Sequence, residues 1–190
     1  MAETGATMKK GKVMLILYIV LGVILVFLVV VAVQPSEFKI SRAATIAAPP
    51  EAVFAQVNDL HRWEAWSPWA KLDPNAKNAY DGPPSGVGAA FTWSGNSELG
   101  EGRLTITESR PHELVRFKLD FVRPFACTNS VEFTFEPEGD RTAVTWNMAG
   151  TNNFIAKAVG LFMDCDKMVG GQFEQGFADL KSVVESTAKQ

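Results

Sequence analysis

Met168-Val169-Gly170-Gly171-Gln172-Phe173-Glu174-Gln175-Gly176-Phe177-Ala178-Asp179-Leu180-Lys181 is the stretch on which the fold turns. Val169, Phe173, Phe177, Leu180 and, just beyond, Val184 recur at intervals of four, four, three and four, the spacing of one face of an α-helix. The spacing predicts a long amphipathic helix from Asp164 to Ala188, preceded by a shorter helical piece over Phe154 to Phe162 that Gly160 breaks from it. Gly170, Gly171 and Gly176 each cost a helix about 1 kcal/mol relative to alanine, so they need a reason. Close approach of the helix to a sheet is one, and room for a cavity beneath it is another.

Upstream of this helix the period changes from that of helices to that of strands. Ala89 to Ser94, Gly102 to Ser109, Leu114 to Phe121, Ser130 to Glu136 and Thr142 to Ala149 read as strands. They are punctuated by Gly95-Asn96, Arg110-Pro111-His112, Arg123-Pro124 and Glu138-Gly139-Asp140. Such short spacing implies an antiparallel meander. A further strand, Phe38 to Ile46, alternates with Phe38, Ile40, Ala44 and Ile46 on one side. Pro49-Pro50-Glu51 then opens a helix carrying Val53, Phe54 and Val57. A short helical piece over Asp59 to Ala65 follows, ended by proline in Trp66-Ser67-Pro68-Trp69. The next segment, rich in Asp, Asn, Pro and Gly, reads as a loop. One strand, short helices, several strands and a final helix make an α+β pattern in which a curved antiparallel sheet wraps the last helix.

Further upstream, Val13 to Val33 is an unbroken run without a charge. At about 1.5 Å per residue it reaches about 31 Å, the thickness of a bilayer's hydrocarbon. It reads as a transmembrane anchor: it is longer than a signal-peptide core, and Ala32-Val33-Gln34 is not a small-residue cleavage pattern. Lys9, Lys10 and Lys12 precede it, and no Lys or Arg follows until Lys39 and Arg42. That asymmetry favours a cytoplasmic N-terminus with the domain on the outer, periplasmic or extracellular, face. The organisation expected is a basic tail over 1–12, an anchor over 13–33, a linker over 34–37 and one domain over 38–188.

Composition excludes several classes. Apolar residues are 47% of the 190, enough for a sizeable core, and the net charge of −3 with no basic block argues against a nucleic-acid partner. Two cysteines and two histidines cannot supply a disulfide framework or a cysteine-rich zinc site, and neither a metal nor a cofactor is expected. On the outer face Cys127 and Cys165 could oxidise, but two separate buried thiols are the simpler expectation.

The residues also carry a resemblance. Ile46-Ala47-Ala48-Pro49-Pro50-Glu51-Ala52-Val53-Phe54, Trp63, Trp66-Ser67-Pro68-Trp69, Tyr80-Asp81-Gly82, Gly86-Val87-Gly88-Ala89, Trp93-Ser94-Gly95, Gly102-Arg103-Leu104-Thr105-Ile106, Glu108, Gly160-Leu161-Phe162-Met163 and the final helix are similar to the SRPBCC superfamily. That superfamily includes START-like and polyketide cyclase/dehydrase domains. The resemblance covers Phe38 to Ala188 and implies a helix-grip fold: a seven-stranded antiparallel sheet around a long C-terminal helix, with a hydrophobic cavity between them. It implies an apolar or lipid-like ligand, and in some members cyclase chemistry.

Five Trp and 13 Phe against two Tyr suit such a cavity. Ordinary core packing predicts the same alternation, so only a minority should line a pocket. The ligand-binding candidates are Trp66, Trp69, Trp93, Phe121, Phe133, Trp146, Phe162 and Phe173, with Met148, Met163 and Met168 as adaptable wall residues. Catalytic candidates are Glu108, Arg103 and Tyr80. A buried carboxylate would have its charged form disfavoured and could serve as acid or base. Arg103 and Glu108 are five positions apart and fall on opposite faces of a regular strand. His61 lies one helical turn from Glu64, His112 has no evident partner, and Asp164 and Asp166 read as acids at a helix start.

Three functions follow as expectations. The first is membrane-anchored binding of an apolar small molecule, which a filled, ligand-free core with no pocket would defeat. The second is a polyketide cyclase/dehydratase-like enzyme using a cavity carboxylate. The third is a tethered protein-interaction domain without a ligand.

Overall fold

The computed structural model describes residues 3–187, with side chains over 12–186. Ala188, the expected end of the last helix, lies outside the described residues, as do the side chains of Lys9 and Lys10. The chain divides into two compact units, one of residues up to Ser36 together with Asn152–Met163, the other of Glu37–Thr151 with the chain from Asp164 onward.

In the first unit, helix α1 (Glu3–Val33) extends the apolar run back through the basic tail. Its Lys12–Val33 portion, 22 residues of mean hydropathy 3.4, is long and apolar enough to cross a membrane. The other member is a short helix (Phe154–Gly160), one turn of which is closed by the Asn153 side chain accepting from the Ala156 N–H at 2.9 Å.

The second unit is a seven-stranded antiparallel sheet with a long helix against it. Its strands are β1 (Glu37–Ile46), β2 (Lys77–Asp81), β3 (Ala90–Ser94), β4 (Glu101–Arg110), β5 (Leu114–Arg123), β6 (Cys127–Glu138) and β7 (Arg141–Thr151). Their order is β1-β7-β6-β5-β4-β3-β2, so consecutive hairpins build the meander and β1 closes its far edge against β7. Helix α2 (Pro50–Asn58) and two 3-10 turns (Leu60–Ala65 and Pro68–Lys71) fill the long connection from β1 to β2. With the short Phe154–Gly160 helix as α3, the final helix is α4 (Cys165–Thr187).

Alternation sorts the side chains. Ile40, Trp93, Leu104, Ile106, Val115, Phe117, Val131, Phe133, Phe135, Val144 and Trp146 are buried on one face, and α4 adds Phe173, Phe177, Leu180 and Val184 from above. Each such large side chain contributes about 1.5–3 kcal/mol by leaving water.

Four expectations are corrected. The segment read as a loop contains β2, whose five residues are all exposed at the sheet's edge and so carry no alternation to read. Pro68 does more than follow the end of the helical piece, which stops at Ala65 with Ser67 extended: it opens a second, unforeseen 3-10 turn, where its missing N–H costs nothing. Cys127 and Cys165 are neither buried nor paired: both are free and exposed. His112 does have a partner, Glu51, with its Nδ1 3.4 Å from the carboxylate, and it rests edge-on against Phe54.

Candidate functional site

The interior under α4 is built by register. β6 and β7 place Phe133 opposite Trp146, and β7 and β1 place Trp146 opposite Arg42. Trp146 is thereby stacked on Phe173 of α4, with ring centroids 4.2 Å apart and planes 8° from parallel, and lies 4.6 Å from Phe133. Trp66, Trp69 and Phe177 meet it edge-on, each at 5.8 Å. Trp63, absent from the sequence-based candidates, joins through Trp66 at 4.7 Å and Phe117 at 5.3 Å. Its signal was its place one 3-10 turn before Trp66, where both rings swing to the same side.

Trp66, Trp69, Phe133, Trp146 and Phe173 are therefore brought together, and Met148 is buried on β7 in the same core. Trp93 and Phe121 meet each other at 5.8 Å in a second group with Phe91. Met168 is exposed on α4, and Phe162 and Met163 belong to the other unit.

Hydrogen bonding distinguishes one member of the cluster. Trp63 Nε1 donates to the Val57 carbonyl at 2.9 Å, Trp66 Nε1 to Gln56 at 3.3 Å and Trp93 Nε1 to Leu99 at 3.3 Å. Trp146 Nε1 is buried and has no acceptor, and it is the one such side-chain atom among the described residues. A buried donor left unpaired costs about 1–3 kcal/mol.

The catalytic candidates lie elsewhere. β4 is not regular, because its register against β5 shifts between Ile106 and Glu108. The bulge restores Glu108 to the same side as Arg103, the face away from the core, and the expectation of opposite faces is corrected. Glu108 pairs with Arg116, which also holds Glu132 at 2.6 Å. Arg103 pairs with Asp81 at 2.9 Å and donates to Thr92 at 3.3 Å. Hydrogen bonds that Arg116 donates to the glutamates, Glu132 first, push its guanidinium above its ordinary value. Neither Glu108 nor Arg103 enters the aromatic interior.

Tyr80 instead borders a cleft of about 270 Å³ at the β2 edge, lined by Leu60, His61, Tyr80, Asp81, Gly82, Pro83, Pro84, Ala89 and Ala90. Its ring stacks on His61 at 4.0 Å, and burial, with Glu64 and Asp59 nearby, pushes its phenol up. His61 turns to Asp59 at 3.2 Å rather than to Glu64. Among the described residues no three His, Cys, Asp or Glu side chains are grouped to hold a metal.

An order of strands and helices with an α4 so gripped has recognisable relatives. Residues 37–185 match the family model described as polyketide cyclase / dehydrase and lipid transport. The chain belongs to this family. No curated protein matches it. Solved structures similar to it include protein CV1439 from Chromobacterium violaceum, at 16% identity and a TM-score of 0.57, covering 80% of this chain and 99% of that one. Protein MLL2253 from Mesorhizobium loti is 20% identical with a TM-score of 0.57, covering 79% and 98%. The Aha1 dimer from Colwellia psychrerythraea is 18% identical with a TM-score of 0.53, covering 78% and 96%. At these identities the likeness is one of fold.

Proposed function

We propose that this chain is a membrane-tethered binding module that takes an apolar, lipid-like molecule carrying one hydrogen-bond acceptor into the interior beneath α4. The observation that carries the reading is the unpaired Nε1–H of Trp146 at the centre of an aromatic cluster. An oxygen on the guest would satisfy that donor, while the surrounding rings take the hydrocarbon. The rings are packed face and edge against one another, and entry of a guest displaces one of them. Trp69, half-buried on its 3-10 turn and edge-on to both Trp146 and Phe173, is the member with least to lose. Family membership supports the apolar class of guest.

The tether is α1, with its lysines on the cytoplasmic side and the family domain on the outer face. Only residues 34–36 separate α1 from β1. A guest dissolved in the bilayer is met at high effective concentration by a site on so short a tether.

Native mass spectrometry of the full chain, released from nanodiscs prepared from its own host, tests the reading. A stoichiometric apolar adduct, reduced in occupancy in Trp146→Phe, is expected. A protein that is empty and takes up no member of a lipid and polyketide panel overturns it.

A cyclase/dehydratase-like activity has one supporting observation, the stacked Tyr80 and His61 at the edge cleft with Asp59 behind the imidazole. Loss of turnover in Tyr80→Phe, with guest binding intact, would favour that alternative.

A further inference from the structure

The segment Phe154-Ile155-Ala156-Lys157-Ala158-Val159-Gly160-Leu161-Phe162-Met163 contains one charged residue, Lys157. None of α3 is buried, and Phe154, Ile155, Val159, Leu161, Phe162 and Met163 are all exposed, Phe162 to 80%. So dense an apolar surface is not left to water without a function.

The first unit fixes where that surface sits along α1. The rings of Phe162 and Phe27 lie 6.4 Å apart. Phe27 is six residues before the end of the apolar span at Val33, hence about 9 Å inside it along the helix axis. A side chain in contact with Phe27 is therefore at the depth of hydrocarbon wherever α1 crosses a bilayer, and a water-soluble partner cannot reach it there. The backbone is prepared for that medium. Lys157 N–H donates to Asn153 at 3.0 Å, Leu161 to Ala158 at 3.3 Å, and Phe162 and Met163 both to Val159 at 3.0 Å. Non-helical backbone at membrane depth requires such internal satisfaction. The stem of Lys157 is long enough for its ammonium to reach the phosphate level while its methylenes stay among lipid chains.

We propose that Phe154–Met163 is a second membrane-inserted element, a wedge lying in lipid beside the C-terminal end of α1. This rests on the reading of α1 as a membrane span. It makes the connection between β7 and α4 a lipid contact in its own right, so the domain is held to the bilayer by two points of the chain rather than one.

The test is site-directed spin labelling of the full chain in phosphatidylethanolamine–phosphatidylglycerol vesicles. The exposed Cys127 and Cys165 are first replaced by serine, and single labels are placed by Phe162→Cys, Val20→Cys and Asp140→Cys. Collision with oxygen, which concentrates in hydrocarbon, is compared with collision with a water-soluble nickel chelate. Position 162 is expected to favour oxygen, as position 20 does, with the ratio inverted at position 140. Nickel-dominated collisions at 162 with oxygen-dominated ones at 20 overturn the wedge and leave the anchor standing. Nickel-dominated collisions at 20 overturn both. Protection of 162 from both reagents identifies a protein surface or second copy as its cover, and also overturns the proposal. Phe154→Cys provides a second reporter should the label at 162 disturb folding.

Discussion

The guanidinium of Arg42 lies in the space that a β-carbon on Gly170 would occupy. Arg42 follows the parity of Ile40 and Ala44 and so stands on the core-facing side of β1, an unusual place for a charge. It escapes burial because β1 is an edge strand, where the side chain reaches Asp166 at 3.0 Å and Glu174 at 2.8 Å on α4. Gly170, between those two acids, lets the planar group lie against the helix backbone. Gly171, the next residue, faces open space. Gly171→Ala is therefore expected to stabilise by up to about 1 kcal/mol through helix propensity. Gly170→Ala should gain less or lose, and should recover the full gain in an Arg42→Ala background. Urea denaturation of the four variants gives the coupling, and equal effects at 170 and 171 would refute it.

Gly176 poses a harder conflict. A β-carbon there would stand 2.8 Å from the Trp146 ring and 3.2 Å from Pro68. Neither neighbour can swing away, since Trp146 is clamped between Phe133 and Phe173. Gly176→Ala should destabilise by about 1–3 kcal/mol despite alanine's better propensity. A raised melting temperature would mean that the ring is free to move.

The long helix and five of the six meander strands were legible because each buries one face and writes its period into the sequence. β2 was not, because an edge strand with every residue exposed has no reason to alternate. The aromatic members of the interior were also legible as a class, but not their grouping. Phe162 has the same chemistry as Phe173, and only the three-dimensional structure separates a ring against α1 from one against Trp146. The Glu108 side was misread for a local reason: a one-residue bulge reverses parity and leaves no mark in residue type. Of the three helix glycines, close approach accounts for Gly170 and Gly176, and nothing in the structure explains Gly171.

Acid should weaken the fold through its paired aspartates. Thr128, donating at 2.6 Å, and then Lys118 hold Asp120 below the ordinary aspartate value, as Arg103 does Asp81 and Arg42 does Asp166. A carboxylate depressed in the folded state gives stability that is complete above its unfolded value of about 3.9 and lost as pH falls through its folded one. The urea midpoint is expected to be flat near neutrality and to drop below about pH 5. Asp120→Asn should lessen that drop, and an unchanged acid slope would show that Asp120 is not depressed.

The two thiols should be separable by pH. Partial desolvation of the exposed Cys127 pushes its thiol up, and Asp120 adds to that, while Asn129, 3.9 Å from the sulfur, opposes it. Both thiols should react with a disulfide reagent in the folded protein, with the Cys127 phase accelerating only at pH above that of a free thiol. Cys127→Ser should remove that phase alone. One reactive thiol, or none before unfolding, would contradict the exposure of the pair.

Trp146 gives a sharper test of binding chemistry than loss of affinity alone. In a proton–nitrogen spectrum its indole resonance, with no acceptor, should move downfield when a guest bearing an oxygen enters, while those of Trp63, Trp66 and Trp93, already paired to carbonyls, move little. A net hydrogen bond of about 0.5–1.5 kcal/mol corresponds to about a two- to tenfold change in affinity. Trp146→Phe should therefore weaken a fatty-acid methyl ester by about that factor and leave an alkane of equal length nearly unaffected. Equal weakening of both would assign Trp146 a role in packing alone. Movement of the Trp93 resonance instead would shift the site to the neighbouring group of Phe91 and Phe121.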